Sequence, residues 1–386
     1  MELSSMYEIR DVAVIGAGVA GSSMAKALAD KGWETVLLDR QSFPRHKVCG
    51  EFLSPESQVM LHELGLYPVV EELKPSLIHR TRLIAKGGNS LEIPLPGTGL
   101  GISRFSLDSA LHAAAGRSSV DVQLATTVTS VKQNAKGYLV ETRQGEGAKS
   151  YQVRAVIAAW GAHPNARLAG RPSGTFTMGS YMGVKSHFVG IDMEPIVELY
   201  FFPGGYLGIS PIEGGRVNVA ALLSKSAFRE SEKTILGLLQ AAVGRNPKLY
   251  KRLSKATPIP GSQVAVAPVR ILQKPLAWQL FPYAGDAVVT IPPLCGDGMS
   301  MALRSAQICC VLGDRYLHGD ISLACWELEY KRELERQFRG PLRWGRLLQL
   351  LFGIPMFPET LLSMGQITPG IAFRLLQSTR LQGTDS

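Results

Sequence analysis

The chain has little cysteine, and none of it is arranged as a metal site or a disulfide framework. Cys49, Cys295, Cys309, Cys310 and Cys325 are spread over 386 positions. Their number is odd and no spacing is a zinc spacing, which excludes a zinc module or a disulfide-stapled secreted domain. Cys309 and Cys310 are adjacent in an apolar helical stretch and read as buried thiols, which suits a reducing compartment. Long apolar runs are also missing. Leu347 to Phe357 comes nearest; it is interrupted by Pro355 and falls well short of the roughly 18 residues that span a bilayer. Met1 to Asp11 carries Glu2 and Glu8 and no apolar signal core, so a cytoplasmic location is expected. The formal net charge is +9, yet no basic run is interleaved with aromatics in the manner of a nucleic-acid binder. The excess charge suits a phosphate-bearing cofactor, or simply a basic soluble enzyme. No repeat, low-complexity segment, Ser-His-Asp set or catalytic carboxylate pair is visible.

What the chain does have is glycine, 40 residues of it, much of it in short clusters. Such clusters suit a backbone that must come close to phosphates or a ring. Ile9 to Ile15 reads as a buried strand, the stretch from about Val19 to Lys31 as a helix rich in small residues, and Thr35 to Leu38 as a second parallel strand. Between the first strand and the helix stands Gly16-Ala17-Gly18-Val19-Ala20-Gly21. Gly16 permits the turn, Gly18 opens the backbone N–H groups to a pyrophosphate, and Gly21 lets helix and strand pack closely. Asp39, followed by Arg40, ends the second strand about where an acid would meet a ribose hydroxyl pair. This unit can hold NAD or FAD.

Further along, Ser54 to Leu64 and Ser106 to Gly116 read as helices, Thr81 to Leu95 as a hairpin, and Phe176 to Leu223 as aromatic, strand-rich sequence. Glu230 to Val243 reads as an amphipathic helix, Gln279 to Thr290 as strand and turn, and Asp297 to Leu317 and Ser322 to Leu351 as helices. A second glycine-rich segment runs Ala284-Gly285-Asp286-Ala287, then Pro292-Pro293, then Gly296-Asp297-Gly298-Met299. Here a strand ending in Gly-Asp would offer an acid to sugar hydroxyls, and a helix N-terminus would follow that favours negative charge.

Four motifs in order resemble the FAD-dependent monooxygenase superfamily: aromatic-ring hydroxylases, geranylgeranyl reductases and flavin-dependent halogenases. They are the glycine triplet with Asp39; Pro44-Arg45-His46-Lys47-Val48-Cys49-Gly50-Glu51; Ser103-Arg104-Phe105-Ser106-Leu107-Asp108; and the second glycine segment. The resemblance implies non-covalent FAD. It would be held by Gly16, Gly18, Gly21, Asp39, Arg40, Arg45, Gly50, Arg104, Asp286, Pro293, Gly296, Gly298 and Met299, with NADPH or NADH as electron donor. It implies an α/β fold: a Rossmann-type FAD-binding domain (1–75, 101–175 and 271–330), an inserted antiparallel β-sheet substrate domain (76–100 and 176–270), and a C-terminal helical segment (331–386).

Two departures bear on the reaction. Trp160 replaces the acid of the hydroxylases' Asp-Gly pair within Ala159 to His163, which weakens direct NADPH use and leaves room for a redox partner. Tyr206-Leu207-Gly208-Ile209-Ser210-Pro211 keeps only the Tyr and Pro of the reductase pattern Tyr-x-Trp-x-Phe-Pro, and has neither halogenase tryptophan. Gly208 and Ser210 should widen or reshape the substrate cavity. Asp297, where relatives have Gln or Glu, reads as a helix cap.

Cys49, beside Arg45, His46 and Lys47, is the sharpest catalytic candidate, since nearby cations favour a thiolate. His46 is a candidate acid or base and Tyr206 the family's tyrosine; His163 and His187 have weaker claims. The expected reaction is hydroxylation of a small hydrophobic or aromatic substrate, with double-bond reduction as the alternative. The arm Lys331 to Arg380 is expected to pack on its own domain rather than lie on a membrane surface.

Overall fold

The computed structural model describes residues 7–162, 180–228, 234–354 and 357–367, with Leu168 and Leu381. His163 and the expected boundary at 175/176 lie outside the described residues. In chain order the elements are β1 (Glu8–Ile15), α1 (Val19–Asp30), β2 (Thr35–Leu38), β3 (Phe52–Leu53), α2 (Pro55–Glu63), α3 (Tyr67–Glu71), β4 (Ser76–Ile84), β5 (Ser90–Gly101), α4 (Arg104–Arg117), β6 (Asp121–Gln123), β7 (Thr127–Asn134), β8 (Gly137–Gln144) and β9 (Gly147–Ala158). They continue with β10 (Ser180–Val189), β11 (Ile196–Phe202), β12 (Gly205–Ile212), β13 (Arg216–Ser224), α5 (Lys225–Phe228), α6 (Ile235–Val243), α7 (Pro247–Leu253), β14 (Thr257–Pro258), β15 (Val264–Arg270), α8 (Gly298–His318), α9 (Leu323–Phe352) and α10 (Phe357–Ile367).

The first sheet has the order β6-β2-β1-β9-β8-β7. β6, β2, β1 and β9 run parallel, and β8 and β7 return antiparallel. Parallel strands covered on both faces need an unbroken apolar run, and β1 supplies it, with Val12, Ala13, Val14 and Ile15 all buried. The small residues of α1 let it pack closely against this sheet and against α8. Trp326, Tyr330, Leu334, Phe338 and Leu342 of α9 join the same core. Each large side chain so buried contributes about 1.5–3 kcal/mol.

The second sheet runs β14-β10-β13-β12-β11-β4-β5-β3, with β15 also on β10. It is antiparallel except where β11 meets β4. Its outer face packs on α6 and α7 through Leu207, Ile209, Leu238 and Leu239. Its inner face looks toward the 44–51 loop.

Three local expectations need adjustment. The Gly-Asp segment does not end a regular strand. Tyr283 makes one parallel bridge to Ala158, after which Gly285, at φ 61, turns the chain into a single 3-10 turn. The helix expected from Ser106 begins two residues earlier, because the Ser103 side chain caps it by accepting from Ser106 N. And α9 runs unbroken from Leu323 through Pro341 to Phe352, so the line drawn at 330/331 falls inside one helix. That helix packs on the chain's own cores, as expected for this part of the arm; residues 368–380 of the arm lie outside the described residues. No helix among the described residues is long and apolar enough to cross a membrane.

Candidate functional site

The three glycines of the first motif do different work. A Cβ on Gly16 would stand 2.4 Å from the Ala159 carbonyl oxygen, and one on Gly21 would stand 1.8 Å from that of Gly16. Both are packing glycines, and Gly16 is also at φ 113. A Cβ on Gly18 would meet only Arg104 Nη2, at 3.6 Å. α1 starts on Gly18 with no side-chain cap and no acid in its first turn, so its positive end is left for an anion. Asp39 fastens this loop: its carboxylate accepts from Ala17 N and Gln41 N, both at 2.8 Å, and from Arg45 at 3.3 Å. Arg40 is exposed beside it.

Arg104 faces this cradle from α4. It is buried and grips Asp108 through Nε at 2.6 Å and Nη2 at 2.7 Å. Burial alone would push the guanidinium down, but the Asp108 carboxylate overrides that and holds it above its ordinary value. The second glycine segment arrives on the same side. A Cβ on Gly285 would touch Ala20 of α1 at 3.1 Å, and Lys47 Nζ reaches Asp286 at 3.7 Å. Gly296, at φ 72, lies against the Phe52 ring, and Gly298 and Gly50 both open onto free space. Pro293 is exposed and Met299 buried at the start of α8, which Ser300 ties to Ser54 at 2.7 Å. Asp297 is the N-cap of α8 and makes no side-chain cap hydrogen bond. Arg45 Nε and His46 Nδ1 are buried without a partner among the described residues. An open anion-favouring helix start, a cationic wall and unsatisfied donors fit a dinucleotide such as FAD.

The 44–51 loop carries the most concentrated chemistry. The Cys49 carbonyl accepts from Asn218 Nδ2 at 3.0 Å and the Gly50 carbonyl from Ser210 Oγ at 2.8 Å. Cys49 Sγ accepts from Glu51 N at 3.4 Å. Glu51 follows at φ 56, a left-handed backbone unusual outside glycine, and its side chain runs into the second sheet. There Glu51 and Lys185 are 0% exposed and His187 1%. Lys185 Nζ and, at 2.8 Å, Arg104 N donate to Glu51 Oε1; His187 Nε2 lies 2.6 Å from Oε2 and 2.9 Å from Lys185 Nζ. Burial alone would raise the Glu51 carboxyl, but the His187 hydrogen bond and the Lys185 charge hold it below the usual carboxylate range. His46 stacks on Phe105 at 4.7 Å and meets His187 edge-on at 5.0 Å. Burial, with the charges of Lys185 and His187, pushes the His46 imidazole down to about 4, so it is neutral at pH 7.

Strand alternation explains the convergence. Tyr181, Gly183, Lys185 and His187 share one face of β10; Asn218, Ala220 and Leu222 follow on β13, and Tyr206, Gly208 and Ser210 on β12. His187, Asn218 and Ser210 lie in one cross-strand row. The next row contains Lys185, Ala220 and Gly208, and there Ala220 and Gly208 stay half-buried. Tyr206 stands apart from Cys49 and His46, in an apolar cluster with Phe201, Leu222, Val269 and Phe352, edged by Tyr181, Leu199, Leu294 and Leu348. Burial pushes its hydroxyl well up. Sequence reasoning gave His187 little weight, took Ser210 only as a change in cavity shape, and missed Lys185 and Asn218. Two basic residues alternating in the otherwise mostly apolar β10 were the available signal.

Fold and cradle together define the class: a Rossmann-type dinucleotide-binding protein. Residues 10–188 match the family described as pyridine nucleotide-disulphide oxidoreductase. Digeranylgeranylglycerophospholipid reductase 2 of Methanopyrus kandleri is 28% identical over 355 residues, covering 89% of this chain and 86% of that protein. Menaquinone reductase of Mycolicibacterium smegmatis is 25% identical over 372 residues, covering 90% and 85%. Among solved structures, a flavin-dependent brominase superposes with a TM-score of 0.79 at 17% identity, covering 97% of this chain and 94% of that one. The chain is thus similar to FAD-dependent reductases in sequence, and it shares its fold with flavin halogenases and geranylgeranyl-reductase-like proteins.

Proposed function

We propose that this protein is an FAD-dependent reductase that saturates a carbon–carbon double bond in a hydrophobic, isoprenoid-type molecule. One observation carries the reading: both curated relatives above are reductases, and each aligns over 85% or more of its own length and of this chain. Gly16, Gly18, Gly21, Asp39, Arg40, Arg45 and Arg104 hold the adenosine and pyrophosphate side. Gly50, Asp286, Pro293, Gly296, Gly298 and Met299 hold the flavin side. Bound FAD supplies the electron pair. The chain supplies position and a proton. The apolar cluster around Tyr206 seats the substrate and excludes water. Cys49, on a turn pinned by Asn218 and Ser210, is the proton donor, and neutral His46 of the same loop is an acid–base partner. NADPH, NADH or a protein redox partner delivers electrons to the cofactor.

Hydroxylation is the second reading. It is favoured by Gly208 and Ser210 standing where the reductase pattern has Trp and Phe. Turnover without oxygen separates the two. Dithionite-reduced protein mixed anaerobically with a geranylgeranyl lipid should yield product that has gained two hydrogens in its isoprenoid chain, located by tandem mass spectrometry. Product that forms only with oxygen, and that gains an oxygen atom, would overturn the reductase reading.

Gly208 offers a further check. A side chain there would start 3.1 Å from Leu199 and extend over the half-buried middle of the inner face. Gly208→Trp should therefore cut turnover of a long isoprenoid substrate at least tenfold, mainly through KM, while FAD content and melting temperature stay near those of the parent. Steady-state kinetics with a short and a long substrate check this.

A further inference from the structure

The Glu51, Lys185 and His187 side chains form a buried cluster that ordinary salt-bridge stabilisation does not explain. A lone buried Lys–Glu pair seldom gains more than its desolvation costs. Here a third titratable group stands within hydrogen-bond distance of both partners. The 2.6 Å contact between His187 Nε2 and Glu51 Oε2 needs a proton between them. The 2.9 Å contact from Lys185 Nζ would use the same ring nitrogen as an acceptor. One nitrogen cannot do both at once. The three side chains therefore form one hydrogen-bonded, charge-bearing unit rather than independent pairs. Glu51 connects that unit to the turn directly, since its own N–H is on Cys49 Sγ and its carboxylate also holds Arg104 N.

We propose that Glu51, Lys185 and His187 act as a single charge-balanced unit that positions the Cys49–Gly50 turn and sets the ionisation of the Cys49 thiol. They are positioning residues, acting through Cys49. The inference rests on Cys49 lying in the reaction site, but not on which reaction occurs there. Other charged groups face the same turn. His46 and Lys47 come from its own loop, Arg104 with Asp108 from α4, and Glu213 with Arg216 from the β12–β13 connection. Glu51 offsets the two basic groups of the cluster. Removing its charge leaves them uncompensated and favours the thiolate. Removing the lysine leaves the carboxylate in excess and disfavours it.

The test is the rate of Cys49 alkylation by iodoacetamide, followed by mass spectrometry from mildly acidic to alkaline pH. It uses the full chain in a Cys325→Ser background, because the other three cysteines are buried. Neither substrate nor turnover is needed, so the result stands apart from the reductase reading. Glu51→Gln should speed alkylation at pH 7 by about three- to tenfold and move its pH midpoint down. Lys185→Met should slow it by a similar factor and move the midpoint up. The charge-neutral double variant should return to within about threefold of the parent. Loosening of the turn alone would shift both single variants the same way. Shifts of one sign, or none, overturn the proposal. If a single variant does not fold, the double variant decides: parent-like reactivity supports the balance, and a midpoint displaced as in the surviving single variant overturns it.

Discussion

Gly21→Ala should purify colourless, with FAD retention at least about a hundredfold weaker and a lowered melting temperature. The added methyl group would sit 1.8 Å from the Gly16 carbonyl oxygen and 3.1 Å from Ala159 Cβ. Neither obstacle is the end of a flexible side chain, so α1 must move off β1 to make room. Overpacking of this kind costs about 1–3 kcal/mol and more where backbone is struck, and about 3 kcal/mol lost from a binding equilibrium is roughly a hundredfold. Gly18→Ala is the contrasting variant. Its Cβ finds free space 3.6 Å from Arg104, so the protein should melt like the parent and still bind FAD poorly, because the methyl group occupies the ground a pyrophosphate would need. Thermal melts combined with absorbance of the purified proteins read both effects. Equal melting of the two variants would show that Gly21 is not the packing contact described above.

That contrast also marks what could be read from the sequence. The glycine triplet and Asp39 were legible because their requirements are local: a turn, an open helix start and a strand end within some 25 residues. The resemblance carried the second glycine segment, although its physical setting differed, since only Tyr283 bridges to Ala158 before the chain turns. The centre of the candidate site was not legible. Glu51 and Lys185 are 134 residues apart and meet only because β10 pairs with β13, which places one face of β10 over the 44–51 loop. Local sequence cannot give that register. Lys185 and His187, two residues apart in β10, needed a buried acid, but nothing nearby in sequence names it. Ser210 is a similar case. As a substitution for the family's Phe it read as added space, whereas its hydroxyl holds the Gly50 carbonyl.

The same cluster governs the second large expected effect. Lys185→Met should lower unfolding stability by about 3–5 kcal/mol, the usual cost of leaving one member of a buried ion pair without its partner. His187 stays on Glu51 Oε2 through the existing 2.6 Å contact and keeps the carboxylate from being wholly without a partner. Glu51→Gln leaves two basic groups facing each other and should cost at least as much. The double variant removes both formal charges and should recover most of the stability of either single one, as expected when a buried pair is replaced as a whole rather than broken. Denaturant melts of the four proteins give the coupling directly. Additive losses in the double variant would mean that the two side chains contribute independently, and the description of the cluster as one unit would then be wrong.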